Sequence, residues 1–219
     1  MISMDFVPSR ERAPHAGAMR GASGPGPYSR GMRSIGIFGW VIALGLGIAT
    51  ASSAERINGV EFADEVTVAG ETLPLRGAGL LVYRWVFDAY VSALYLPSDV
   101  ASTQVLSDVP KRLEIEYFWA IAAEDFGPAA DTILRRQYDE ETLAPLRDRI
   151  EEMSAAYRDV EPGDRYAIEY VPGRGTTLSW NGEEIVNVPG ADFAAVYFAV
   201  WLGSDPVDAG LKRELLEKK

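Results

Sequence analysis

Cysteine is absent from the 219 residues, and the one histidine, His15, lies near the N-terminus. Beyond that histidine the chain has no imidazole and no thiol. This excludes Ser-His-Asp and Cys-His nucleophilic machinery. It also removes the usual ligands of zinc, copper and haem. A hard cation could still be held by carboxylates, but no D-x-D-x-D-G loop occurs. No metal and no other cofactor is expected. With no disulfide available, packing must carry the stability, even in an oxidising compartment. Basic residues are scarce too, 21 Lys and Arg against 32 Asp and Glu. Such acidity argues against nucleic acid and anionic lipid surfaces as partners.

Long apolar runs are also few, and the main one comes early. Residues 35–50, IGIFGWVIALGLGIAT, carry no charge, follow Arg30 and Arg33, and precede ASSAE. A basic region, an apolar stretch and small residues at a cut are the layout of a secretory signal. Ser52 and Ala54 suit cleavage after Ala54. A spanning helix needs roughly 20 apolar residues, so this run is short for an anchor. Residues 1–31 are rich in Gly, Pro, Ser and Arg without apolar periodicity, and Met32 sits directly before Arg33. They are read as a disordered leader or a mis-assigned start, 32–54 as the signal, and 55–219 as one domain in the periplasm or secreted. No stable membrane insertion is expected once the signal is removed. Residues 1–54 hold five of the basic and two of the acidic residues, which leaves the domain at a net charge of −14.

Within that domain the pattern is first strand-like. VEFADEVTVAGETLPLRG alternates and turns at Ala69-Gly70. GAGLLVYRWVFDAYVSALYLP, residues 77–97, reads as two strands with a turn at Phe87-Asp88. KRLEIEYFWAIA, 111–122, is a strand with Leu113, Ile115 and Tyr117 on one face and Glu114, Glu116 and Phe118 on the other. Gly127-Pro128 then interrupts, and helical spacing follows to about Arg158. Leu143, Leu146, Ile150, Met153 and Tyr157 form one stripe, from a helix starting near Thr142. After a turn at EPGD come RYAIEYV and a hairpin marked by Asn181-Gly182. Helices follow at 191–202, capped by Gly203, and from Pro206, with Leu211 and Leu215 inward. Strands, helices, strands and helices in that order predict an α+β fold, an antiparallel sheet with helices layered on it.

Signals of chemistry are weak. PGRGTT, 172–177, lacks phosphate-loop spacing and leads into a strand, so it reads as a turn. Glu114 and Glu116 could share acid/base work, but on an edge or solvated face they are merely polar. Glu124 and Asp125 read as solvated residues opening a loop. Tyr117, Phe118 and Trp119 alternate faces and cannot form one platform.

NGVEF (58–62), GAGL (77–80) with YVSALYLP (90–97), PKRLEIEYF (110–118), PGRGTTLSWNGEEI (172–185) and FAAVYFAVWLGSDPVDAGLKRELL (193–216) together give a resemblance. The sequence resembles the bacterial, exported branch of the chalcone isomerase-like proteins. The resemblance implies a long antiparallel sheet with helices on one face and a cleft between. In catalytic members it implies an arginine after the GxG turn that stabilises an enolate. A threonine, a tyrosine on the next strand and a hydroxyl on the late helix assist it. Members that bind fatty acids use the arginine and a tyrosine on a carboxylate. Carried onto this chain, the arginine position is Leu81, the threonine position Tyr90, the tyrosine position near Phe118 and the helix hydroxyl near Ala194. Arg84 or Arg76 could reach the cleft only in a different register. The expectation is an exported, non-catalytic domain binding a small apolar or amphipathic, fatty-acid-like ligand. Its cleft would be lined by Leu81, Tyr83, Tyr90, Phe118, Ala194 and Tyr197. The alternatives are an isomerase or lyase using Tyr90 with Arg84, and a structural or partner-binding module with a filled cleft.

Overall fold

The computed structural model describes residues 54–83 and 87–217, and of Ala54, Tyr83 and Phe87 the backbone only. The proposed leader and signal, and Arg84, lie outside the described residues.

Seven strands pair in sequence order, every neighbour antiparallel. They are β3 (Glu65–Val68), β4 (Glu71–Tyr83), β5 (Phe87–Tyr95), β6 (Lys111–Tyr117), β7 (Arg165–Val171), β8 (Gly175–Trp180) and β9 (Glu183–Val188). A separate hairpin, β1 (Ala54–Ile57) and β2 (Val60–Ala63), precedes them. The turns at Ala69-Gly70 and Asn181-Gly182 have both central residues at positive φ, +50° and +85° in one, +48° and +85° in the other. That is the backbone whose twist matches antiparallel strands. The turn expected at Phe87-Asp88 falls earlier. Phe87 and Asp88 pair with Tyr83 and Val82 inside the ladder, so the chain reverses between Tyr83 and Phe87.

The helices are α1 (Ala123–Gln137), α2 (Glu140–Leu143), α3 (Arg147–Ala155), α4 (Ala191–Leu202) and α5 (Ala209–Leu216). α1 differs from expectation: it starts at Ala123, and Gly127-Pro128 lie within it rather than ending a loop. Pro128 is the sixth residue of α1, so the helix forgoes one backbone hydrogen bond, to the Glu124 carbonyl, in its second turn. Glu124 and Asp125 are exposed in its first turn, where the helix dipole favours acids. α4 is apolar around most of its circumference, as a helix buried on most sides must be, and Phe193, Ala194 and the run Val196–Leu202 are all buried.

Alternation along the strands divides the sheet's two faces. The inner face, with Leu94, Leu113, Ile115, Ile168 and Leu178, joins Leu134, Phe198 and Leu215 of the helices in the main core. The outer face, with Val91, Ala93 and Tyr95, packs under Phe62 and Val60 of the β1–β2 hairpin. Glu114 and Glu116 do point outward, but the expectation that they are simply solvated is corrected. Glu114 bonds Arg112 Nε (2.8 Å) and Arg165 Nη1 (3.1 Å), Glu116 bonds Arg165 Nη2 (2.6 Å), and Arg112 also holds Glu169 (2.8 Å). Arg165 lies over the Phe62 ring at 4.8 Å. Two guanidiniums bind three carboxylates, so Glu114 and Glu116 are paired with cations rather than with each other.

Candidate functional site

Three adjacent strands place one row of side chains toward the helices at the Tyr117 end of β6. Leu81 of β4 pairs with Tyr90 of β5, and Tyr90 pairs with Tyr117 of β6. All three are in the inner core, and none is more than 9% exposed. The Tyr90 and Tyr117 rings meet edge-on at 5.6 Å. Tyr117 in turn meets Phe126 of α1 at 5.8 Å and Tyr166 of β7 at 6.1 Å, both edge-on. Phe126 stacks on Tyr157, which follows α3, at 4.6 Å. α4 closes the cluster. Trp201 Nε1 donates to Tyr90 Oη (3.2 Å), and the hydroxyls of Tyr197 and Tyr157 share a hydrogen bond of 2.8 Å.

The hydroxyls are held in different ways. Tyr166 donates to the Arg158 carbonyl (2.8 Å) and accepts from the Arg158 N–H (2.7 Å). For the Tyr117 hydroxyl no hydrogen-bond partner occurs among the described residues. Burial pushes all these phenols up. Tyr90 and Tyr157 are raised, with their hydrogen bonds opposing the shift, and Tyr117 and Tyr197 are raised well above the ordinary value. The cluster can therefore donate hydrogen bonds from neutral phenols, but it offers no base near neutral pH.

Of the residues expected to line one cleft, Leu81, Tyr90 and Tyr197 belong to this cluster. Ala194 is buried on α4 one turn before Tyr197, in the same core. Phe118 does not join them: its side chain packs with the outer cluster of Val91 and Tyr95. The tyrosine on the inner face beside that position is Tyr117, one residue earlier. The side chain of Tyr83 lies outside the described residues. Arg76 is the bulged residue between Leu75 and Gly77, and its guanidinium donates to the Val100 carbonyl. Five residues from Leu81 along an extended strand, it sits about 16 Å away and does not reach the cluster. Tyr157, Tyr166, Phe126 and Trp201 are the members that the sequence reading left out.

The space between sheet and helices at this cluster is occupied by the side chains themselves. Surface grooves occur elsewhere, one of about 470 Å³ beside α5 at Ser102, Pro206 and Lys212, another of about 310 Å³ between α1 and α3 at Pro128, Arg147 and Ser154. No helix among the described residues is long and apolar enough to cross a membrane. No group of three or more acidic side chains suited to a metal occurs among them either.

Comparison with known proteins bears on this geometry. A family model described as chalcone isomerase-like matches residues 54–217. A search of curated proteins finds no significant match. Among solved structures, the crystal structure of a fatty-acid binding protein from Arabidopsis thaliana superposes with a TM-score of 0.56. The alignment covers 75% of this chain and 96% of that one at 11% identity, a likeness of fold.

Proposed function

The chain belongs to the chalcone isomerase-like family, and from that premise we propose that it is an exported, non-catalytic domain that holds a small apolar or amphipathic ligand between the sheet and α4. The observation that carries the reading is the composition of the aromatic cluster. Several hydrogen-bonding groups converge inside apolar surroundings, and on the same face of β5, between Tyr90 and Leu94, the hydroxyl of the fully buried Ser92 has no partner among the described residues. Ligand sites combine mainly apolar lining with a few directed polar groups in this way. The fold neighbour is named as a fatty-acid binding protein, and ligand binding is the class of activity we extend to this chain.

Leu81 and the raised phenols weigh against catalysis. The resemblance places a cation at position 81, and the residue there is leucine. Neutral tyrosines can steady an oxyanion, but they supply neither its counter-charge nor a base. The test starts with native mass spectrometry of the protein recovered from its own host. The expected result is an added mass that departs on denaturation. Tyr117→Phe should weaken the isolated ligand several-fold, the worth of one neutral hydrogen bond. It should leave the melting temperature of the unliganded protein unchanged or slightly higher, because the hydroxyl it removes is unbonded. A bare mass, with no thermal shift from long-chain acids or alcohols, would count against the proposal.

That outcome would favour a second reading, which rests on a specific observation of its own. Every described residue of the cluster is packed, and Leu94, Leu113 and Phe198 beside it are fully buried. On this reading the domain is a structural or partner-binding module with a filled interior.

Export rests on the apolar run at 35–50 and the small residues at 52 and 54. Protein taken from the host should begin at or near Glu55 and lie outside the cytoplasm. N-terminal sequencing of cytoplasmic material that reads from Met1 or Met32 would defeat this part of the proposal.

A further inference from the structure

The other end of the same inner face carries a charge that the aromatic cluster lacks. Strand parity on β6 puts Lys111 on the side of Leu113, Ile115 and Tyr117, and it is fully buried. It is the only cation in the buried class among the described residues. An ammonium has three donors. Here one acceptor meets it, the Ser107 carbonyl at 2.9 Å, in the connection between β5 and β6. Two aromatic faces fill the rest of its surroundings, Tyr170 at 4.6 Å and Phe198 at 5.5 Å from Nζ to ring centroid. No ion pair involves Lys111 among the described residues. Asp108, next to the carbonyl, accepts from the Tyr170 hydroxyl instead.

A second unsatisfied group lies in the same row. Tyr170 pairs with Lys111 on one side and with Thr176 on the other. Thr176 is fully buried, and its hydroxyl has no partner among the described residues. A buried unpaired charge and a buried unpaired hydroxyl are each costly, so their occurrence in one row calls for an explanation. Packing alone would be served as well by methionine and valine.

We propose that Lys111, with Tyr170 and Thr176, forms the acid-binding end of the ligand site. The carboxylate of an amphipathic ligand would bond to Lys111 Nζ in place of the Ser107 carbonyl, its apolar part running along the inner face of β6. The inference rests on the ligand-binding reading above and adds to it the polarity and direction of the ligand. Six residues of extended strand put Lys111 and Tyr117 about 20 Å apart, a span that a long alkyl chain can bridge. The acid would then sit at the opposite end of the sheet from Leu81. The connection at 96–110 would have to yield Ser107, and it is the long loop of this sheet, with one short 3₁₀ turn at Ser102–Gln104.

The experiment measures direct binding of palmitate and of hexadecanol, which share the chain and differ in charge. Wild type, Lys111→Met and Lys111→Arg are compared. Wild type should bind both, with Lys111→Met losing about tenfold or more for palmitate while holding hexadecanol within about twofold. Lys111→Arg should recover much of the loss. Palmitate affinity that is indifferent to Lys111→Met overturns the inference and leaves the ligand reading standing. Failure of wild type to bind either probe removes the ligand reading itself.

Should Lys111→Met fail to fold, a pH titration of wild type serves in its place. Burial, opposed by Asp108, holds the Lys111 amine down at about 8. Of the other groups facing it, Tyr170 is pushed up to about 12, by burial first and by Asp108 second, and stays protonated. Phe198 of α4 does not titrate. Palmitate affinity should fall as pH rises from 7 to 9.5 while hexadecanol affinity stays level. A flat palmitate profile overturns the inference.

Discussion

Gly77→Ala should lower the melting temperature by about 6–12 °C, corresponding to about 3 kcal/mol in a domain of this size. Gly77 lies in mid-strand β4, where α5 crosses directly over the backbone. A Cβ there would stand 2.2 Å from the Glu214 carbonyl oxygen and 2.9 Å from those of Leu215 and Glu217. All three are backbone atoms and cannot swing aside, so the helix must lift. α5 is fixed by burial of Leu211 and Leu215 and by Asp208, whose side chain accepts from the Leu211 N–H at 2.7 Å. Lifting it uncovers those leucines. Gly79 supplies the contrast. Its added Cβ would meet Glu214 Oε2 at 2.3 Å, the end of a side chain that can rotate away, but also Glu214 Cβ at 2.9 Å and Leu211 Cδ1 at 3.0 Å, which yield only with a smaller shift of the helix. Gly79→Ala, which meets no backbone atom, should therefore cost less than Gly77→Ala, about 1–2 kcal/mol. Thermal melts of the two variants, with limited proteolysis to detect release of residues 205–217, make the comparison. Equal melting temperatures for Gly77→Ala and wild type would mean that α5 does not sit on β4 as described.

Those glycines mark what the sequence could and could not convey. GAGL was legible as a motif and, through the resemblance, as the approach to position 81. Its glycines are there to admit a helix 130 residues away in sequence, and no local pattern states that. The same limit recurs elsewhere. The start of α1 was unreadable because Ala122 offers no side-chain cap; the Ala123 N–H is met instead by Asp159 Oδ1 at 2.8 Å, from beyond α3. Glu114 and Glu116 read as solvated because Arg165, which binds both, is supplied by the next strand of the sheet, about 50 residues on. Hairpins and the buried α4 were readable since their causes are local: positive-φ turn residues in one case, an all-round apolar helix in the other.

The aromatic cluster was half legible for a related reason. Period-two alternation had already placed Tyr117 with Leu113 and Ile115, and Phe118 with the glutamates. Counting along the family motif gave Phe118 instead. The alternation describes the side chains as they lie, and a step of one residue exchanges one face of the sheet for the other. Tyr157 was legible as core through its helical stripe, but its bond to Tyr197 joins the end of α3 to α4 and leaves no trace in either segment alone. Nothing in PKRLEIEYF sets Lys111 apart from a lysine at a solvated strand end, since Ser107, Tyr170 and Phe198 around it come from other segments.

Leu81→Arg is the most direct trial of the non-catalytic reading. Leu81 is 9% exposed and faces Tyr90 across the ladder. The side chains gathered there from β5, β6 and α4 are Tyr90, Tyr117, Tyr197 and Trp201, with no carboxylate among them. Asp208, ahead of α5, is near enough to act on Tyr90 but is engaged by the Leu211 N–H, so a guanidinium placed in that setting is a buried charge with no free partner, a cost of about 3–5 kcal/mol. The unliganded variant should melt roughly 10 °C below wild type. Palmitate should recover part of that loss by binding in the reverse of the sense argued for Lys111, its carboxylate on the new cation; hexadecanol should recover less. A drop that neither palmitate nor hexadecanol relieves, in a protein whose wild type binds neither, would show position 81 to be sealed core, and the filled-interior reading would then be preferred. The wild type, for its part, should not accelerate cyclisation of a hydroxychalcone above background. Losing a single oxyanion donor typically costs on the order of 10²–10³ in rate, and here the counter-charge at position 81 is absent altogether. Neutral phenols with raised pKa values cannot take its place. Turnover by the wild type well above background would overturn the non-catalytic reading, whatever the variant does.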